Sequence, residues 1–154
     1  MSSPEWHAIP VARTRENDVD ELLAFVRRGY ELWNAGDISA VSQMWSDDFE
    51  FHTAPEWPGQ TVFHGRAAAV RFLTEEVAAV IELGEIDVER IEVVGDELLI
   101  CMVARTRGQN SKLDIGKVPI FHVALLRGRE IARVRSFLDE DQAMAAAREG
   151  STAG

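Results

Sequence analysis

Apolar and polar positions change period several times along this chain, and the changes mark out its elements. From Lys112 to Asp139 the pattern is that of two long strands joined by a tight turn. Val118, Ile120, Phe121, His122, Val123, Ala124, Leu125 and Leu126 belong to the first, and Ile131 through Leu138 to the second. Arg127-Gly128-Arg129-Glu130 lies between them. Gly128 reaches positive φ without strain, as the first central position of a type II′ turn requires. Alternation puts Ile120, His122, Ala124 and Leu126 on one face. On the second strand Ala132, Val134, Ser136 and Leu138 share a face, and Ile131, Arg133, Arg135 and Phe137 share the other. The two arginines need water or a partner, so the first of these faces is predicted to be the interior. That interior carries two isolated polar groups, His122 and Ser136.

Upstream, helical and strand periods alternate. Leu22, Phe25, Val26, Gly29, Tyr30 and Trp33 recur at helical spacing, with Asn17-Asp18 as the start and Gly36 as a left-handed stop. Asp37 caps a short second helix predicted to run through Trp45. A short strand, Phe49 to His52, follows. Two prolines and Gly59 make the stretch from Thr53 to Gln60 a loop, whose Trp57 either packs on the body or covers a cavity mouth. After Val62-Phe63-His64, Gly65-Arg66 opens a third helix lined by Val70, Leu73, Val77, Val80 and Ile81 and stopped at Gly84. Ile86 to Val94 is a strand with a bulge or bend near Glu89-Arg90. Leu98 to Arg107 is a long strand. Pro119 marks an edge or a bulge, because it has no N–H for the ladder. Gln142 to Arg148 form a short terminal helix.

The order predicts one α+β domain, a strongly bent and mainly antiparallel sheet with helices against one side and a pocket at one end. Residues 1–16 form an N-terminal arm, 17–148 the domain and 149–154 a tail. The chain of 154 residues is long enough for a real core. A net charge of -10 argues against nucleic acid or an anionic membrane as partners. The single cysteine, Cys101, excludes an intramolecular disulfide and reads as a small buried hydrophobe, consistent with a cytoplasmic location. No apolar run approaches the roughly 20 residues that span a bilayer. His7, His52, His64 and His122 show no metal-ligand spacing, and no glycine-rich phosphate loop follows a strand, so neither metal nor cofactor is predicted.

Four segments together carry a likeness. Tyr30 to Asp37, Asp48-Phe49-Glu50-Phe51-His52, Phe63-His64-Gly65-Arg66 and Arg129 through Asp139 resemble the SnoaL-like proteins of the ketosteroid-isomerase and nuclear-transport-factor superfamily. The resemblance spans about Val19 to Ala147 and implies a cone that encloses a pocket. The same fold hosts isomerases, cyclases, epoxide hydrolases and non-catalytic binding proteins. Position by position, the ketosteroid-isomerase tyrosine falls on Gly29, its general-base aspartate on Thr53 and its protonated aspartate on Phe121. Steroid enolisation by that mechanism is therefore not expected. The strand histidine of SnoaL-type cyclases falls on His122. The last-strand aspartate of those cyclases, and of limonene-epoxide-hydrolase-like proteins, falls on Ser136.

Two functions stay open. In one, an acid/base enzyme acts on an apolar small molecule with His122 as the titrating group. In the other, a non-catalytic module binds a ligand or a partner chain through the same cone. In both, Ser136, Thr53, His52, Trp33, Trp57, Phe72 and Met102 are candidate ligand contacts. Ordinary core packing is the alternative for Trp33, Phe72 and Met102. A homodimer is predicted as well, because the outward Phe121, Val123 and Leu125 would otherwise expose an apolar face.

Overall fold

A computed structural model describes residues 16–57, 59–77, 81–108 and 114–153, so the predicted N-terminal arm lies outside the described residues apart from Glu16. Helix α1 runs Glu16–Asn34 and buries Leu22 and Val26. Gly36, at φ 80°, turns the chain into α2, Ile38–Gln43, whose first turn is capped by Asp37 accepting from the Ala40 amide. Strand β1 covers Trp45–His52 and β2 Val62–His64. Helix α3, Arg66–Arg71, continues as a π-helical turn over Phe72–Glu76. Four long strands follow: β3 Ile81–Val94, β4 Glu97–Gly108, β5 Asp114–Arg127 and β6 Glu130–Phe137. Helix α4, Glu140–Ala153, closes the described chain.

The six strands form one sheet in the order β2-β1-β6-β5-β4-β3. Every neighbouring pair is antiparallel except β1 and β6, which run parallel. The predicted meander from β3 to β6 is present, with a register shift between Val88 and Arg90 where the alternation slips. Gly128 takes φ 66° in the two-residue turn between β5 and β6. Pro119 sits beyond the last pair of β5 with β6, Phe121 with Phe137, so its missing N–H interrupts no bond on that side.

Tertiary pairing overrides the local pattern in several places. Trp45 is predicted to end α2 but opens β1, because it pairs with Ile131 of β6 and the Ile131 amide donates to the Met44 carbonyl. Ile81 extends a helical stripe in sequence, yet it starts β3, where the ladder with β4 reaches back to Gly108. The shift between Leu125 and Leu126 against β6 reverses the alternation of Ile131. Ile131 therefore joins Val134 in the inner cluster and does not face outward with the arginines. Helix α4 takes in most of the segment predicted as a tail.

The inner face carries Phe51, Leu98, Ile100, Met102, Ala104, Ala124 and Val134, packed under Leu22, Val26, Val41, Ala69 and Phe72. The helices do not all lie on that side. Ala143 and Ala147 of α4 pack on the outer face against Leu99, Cys101, Phe121 and Val123. Phe121 is 9% exposed and Val123 0%. Helix α4 thus covers two of the three outward residues from which a homodimer is predicted, Phe121 and Val123, while Leu125 stays partly exposed. Arg133 and Arg135 find their partner on the same side, in the buried carboxylate of Glu97.

Candidate functional site

The cavity follows from the curvature of the sheet and from one missing side chain. Helix α1 crosses the inner face and presents Val26, Gly29, Tyr30 and Trp33 toward it. Gly29 contributes no side chain, and a Cβ there would meet only Sδ and Cε of Met44, each at 3.4 Å. A cavity of about 100 Å³ remains between α1, α2 and the sheet. Trp45, Phe49 and Phe51 of β1, Ile100 of β4, Ala124 of β5 and Val134 of β6 form much of its wall. Trp45 and Phe49 stack with ring centroids 4.2 Å apart, which fixes that side.

Against these apolar walls stands one polar pair. The Tyr30 hydroxyl lies 2.8 Å from Nδ1 of His122, and both residues line the cavity. Phe51 meets the His122 ring edge-on at 6.1 Å. Each member of the pair keeps some accessible surface because it faces the cavity, but loss of bulk water dominates its ionisation. Burial pushes the imidazole down to about 4, because the charged form loses its hydration. The same desolvation raises the Tyr30 phenol, which stays protonated. At neutral pH the site holds two uncharged groups and, among the described residues, presents no carboxylate to a ligand.

The predicted residues divide accordingly. His122 and Trp33 line the cavity. Ser136 sits directly opposite His122 in the ladder, as the strand pattern requires, but is not part of this wall, and the ring bonds Tyr30 instead. Met102 is buried in the inner core at 1% exposure. Phe72 stacks on Phe63 at 4.5 Å, and Trp57 meets Phe72 edge-on at 5.4 Å, so these two continue the aromatic packing beside the cavity. Thr53 bonds the Thr61 carbonyl, and His52 pairs with Glu50 at 3.0 Å on the same strand. Tyr30, the chain's one tyrosine, is the functional candidate that sequence reasoning passes over. It follows Gly29, the position to which the resemblance assigns a tyrosine.

One set of possible metal ligands occurs among the described residues. An oxygen of Glu92, the Cys101 thiol and an oxygen of Glu140 lie within 4.8 Å of one another. Arg90 already occupies both carboxylates, donating to Glu92 at 2.6 Å and to Glu140. Burial raises the Cys101 thiol, so a thiolate is disfavoured there. These groups form an ion-pair network on the α4 side of the sheet.

Comparison with known proteins gives a consistent picture of the fold. The sequence profile of the SnoaL-like domain matches residues 26–136. No protein of curated function matches the sequence. An NTF2-like protein from Burkholderia pseudomallei is similar with a TM-score of 0.66 at 15% identity, over 80% of this chain and 94% of its own. A candidate SnoaL-like polyketide cyclase from Mesorhizobium loti gives 0.58 at 19% identity, over 75% and 97%. A protein of ketosteroid isomerase-like fold from Catenulispora acidiphila, in complex with trimethylamine, gives 0.61 at 17% identity, over 80% and 91%.

Proposed function

Because this chain belongs to the SnoaL-like domain family, we propose that its cavity binds a small, uncharged and largely apolar molecule oriented by the His122–Tyr30 pair. One observation carries this reading: an apolar cavity of about 100 Å³ whose wall, among the described residues, holds a single hydrogen-bonded polar pair. Apolar walls reward burial of apolar ligand surface. A charged ligand would lose its hydration there and find no counter-ion. A cavity of about 150 Å³ accepts benzene, so the occupant is of that size or smaller unless the walls move. His122 and Trp33 are its contacts among the predicted residues. No contact is assigned to Ser136, Thr53, His52, Trp57, Phe72 or Met102. The lone buried Cys101 keeps a cytoplasmic location within the proposal.

The experiment is xenon titration followed by methyl chemical-shift changes, in the wild type and in Ala124→Leu, which fills the wall. Saturable shifts at Val26, Ile100 and Val134 that vanish in Ala124→Leu support the reading. Shifts spread over the surface, or unchanged in the variant, sink it.

A second reading makes the same pocket catalytic, with His122 moving a proton. It is favoured by an imidazole held in an apolar cavity beside a phenol. An imidazole held near 4 is unprotonated at neutral pH and can accept a proton, but it is a weak base for that task. A turnover rate that falls with a midpoint near pH 4 and is lost in His122→Gln separates this reading from simple binding.

A further inference from the structure

The donor and acceptor of the Tyr30–His122 bond are not interchangeable, and the acidity of the phenol and the basicity of the imidazole decide between them. A neutral imidazole has one N–H and one bare nitrogen, and which is which is set by the bond that the other nitrogen makes. If Nδ1 carried the hydrogen, it would donate to the phenol oxygen. The phenol hydrogen would then need an acceptor and the bare Nε2 a donor, which leaves two unmet needs. If the phenol donates to Nδ1, the Nε2 hydrogen and the phenol oxygen are left over, and that oxygen is a weaker acceptor than an imidazole nitrogen. The other side chains of the wall are apolar or aromatic, and none of them offers a strong acceptor for a stray phenol hydrogen. Among the described residues Tyr30 is the hydrogen-bond partner of the His122 ring. Both arrangements leave one donor and one acceptor unmet, but the phenol is the stronger acid and the imidazole nitrogen the stronger base, so the bond from the phenol to Nδ1 is the stronger and leaves the weaker acceptor unmet.

We infer that Tyr30 is a positioning residue that donates to Nδ1 of His122 and fixes the Nε2–H tautomer, so that the cavity recognises an uncharged molecule through an acceptor oxygen. The inference rests on the pocket reading for its ligand, but not for its tautomer. It changes the role of the histidine. At neutral pH His122 meets a ligand as a hydrogen-bond donor, able to hold a carbonyl or ether oxygen or to stabilise negative charge that develops on one. Burial supports this by keeping both groups uncharged. A ligand whose polar atom only donates finds no partner at Nε2–H.

Nitrogen chemical shifts of the imidazole in the labelled full chain test the first half without any ligand. The expected spectrum has a protonated Nε2 and a bare Nδ1 displaced by an accepted hydrogen bond. In Tyr30→Phe that displacement disappears, which loss of packing alone would not produce. A protonated Nδ1 in the wild type, or an Nδ1 shift indifferent to Tyr30→Phe, overturns the inference. If Tyr30→Phe does not fold, the wild-type tautomer decides. Cyclopentanone and methylenecyclopentane, equal in shape but differing in the acceptor oxygen, test the second half on the wild type. The ketone is expected to bind about three- to tenfold tighter. Equal affinities overturn the recognition of oxygen while leaving the pocket intact. Binding of neither overturns the pocket reading and the ligand half together, and Tyr30's part then stands or falls on the nitrogen spectrum.

Discussion

The Tyr30 hydroxyl and Nδ1 of His122 stand 2.8 Å apart although 92 positions separate them in the chain. Helix α1 delivers one and the middle of β5 the other, so the bond also ties the helix to the sheet across the cavity. Tyr30→Phe keeps the ring but leaves Nδ1 unmet. We expect a loss of about 1–3 kcal/mol of stability in urea unfolding. His122→Phe strands the hydroxyl and should lose a similar amount. The double variant should lose clearly less than the sum of the two, because neither orphan is then left.

Stability should fall on mild acidification through the same histidine. Above about pH 6.5 the imidazole is neutral in both folded and unfolded chains and adds nothing. Below that value the unfolded chain takes up a proton and the folded one resists it until about pH 4. Unfolding is thus favoured progressively across this window, by up to about 3 kcal/mol at its lower end. Urea midpoints followed from neutral pH into the window should drop more steeply for the wild type than for His122→Gln. Parallel pH profiles for the two proteins would contradict the assignment.

The hairpin was legible because strand alternation has a period of two and Gly128 fixes its register. Placing His122 opposite Ser136 needed nothing else. Tyr30 was not legible as a site residue. It falls on the same helical stripe as Leu22, Val26 and Trp33, and its polar partner belongs to a strand that no local pattern connects to it. Trp45 and Ile81 depart from their local helical pattern for a related reason: the pairings that hold them in strands are with Ile131 and Gly108. The cover on the outer face was hidden because Ala143 and Ala147 are small, and a stripe of alanines gives little hydrophobic signal.

Asn34 ends α1 and clips it to β3. Its amide nitrogen donates to the Ile86 carbonyl and its oxygen accepts from the Ile86 amide, each at 2.8 Å. These bonds sit beside the register shift between Leu83 and Ile86, where the backbone of β3 departs from a regular ladder with β4. Asn34→Ala should cost about 1–3 kcal/mol. Faster hydrogen exchange at the Ile86 amide, out of proportion to the global loss, would show that the clip acts locally. Unchanged exchange there would argue that water replaces it.

Glu97 is 1% exposed and carries two guanidinium groups, with Arg133 at 2.8 Å and Arg135 at 3.1 Å from Oε1. Arg135 also donates to the Ala146 carbonyl, so the network pins α4 on the outer face. Glu97→Ala removes the shared carboxylate and should cost about 3–5 kcal/mol. The Nε atoms of both arginines are buried without a partner among the described residues, so the network is itself imperfect. Replacing all three residues with leucine or methionine should therefore come close to wild-type stability. A triple variant as unstable as Glu97→Ala would mean that the charges hold α4 in a way that apolar packing cannot.

Gly29 sets stability against cavity volume. It lies inside α1, where glycine is weaker than alanine by roughly 0.5–1 kcal/mol because its backbone loses more freedom on folding. A Cβ at this position meets only Met44 Sδ and Cε at 3.4 Å, the end of a flexible side chain that can yield by a few tenths of an ångström. Gly29→Ala should thus fold, and should be more stable by up to about 1 kcal/mol in urea. The added methyl enters the cavity wall one residue before Tyr30, where the volume is only about 100 Å³. Binding of cyclopentanone should weaken while the nitrogen spectrum of His122 stays as in the wild type. A helix with a purely structural glycine predicts only the gain in stability, and unchanged binding would favour that view. A loss of stability instead would show that Met44 cannot move, and that the glycine is there to admit its sulfur against the helix.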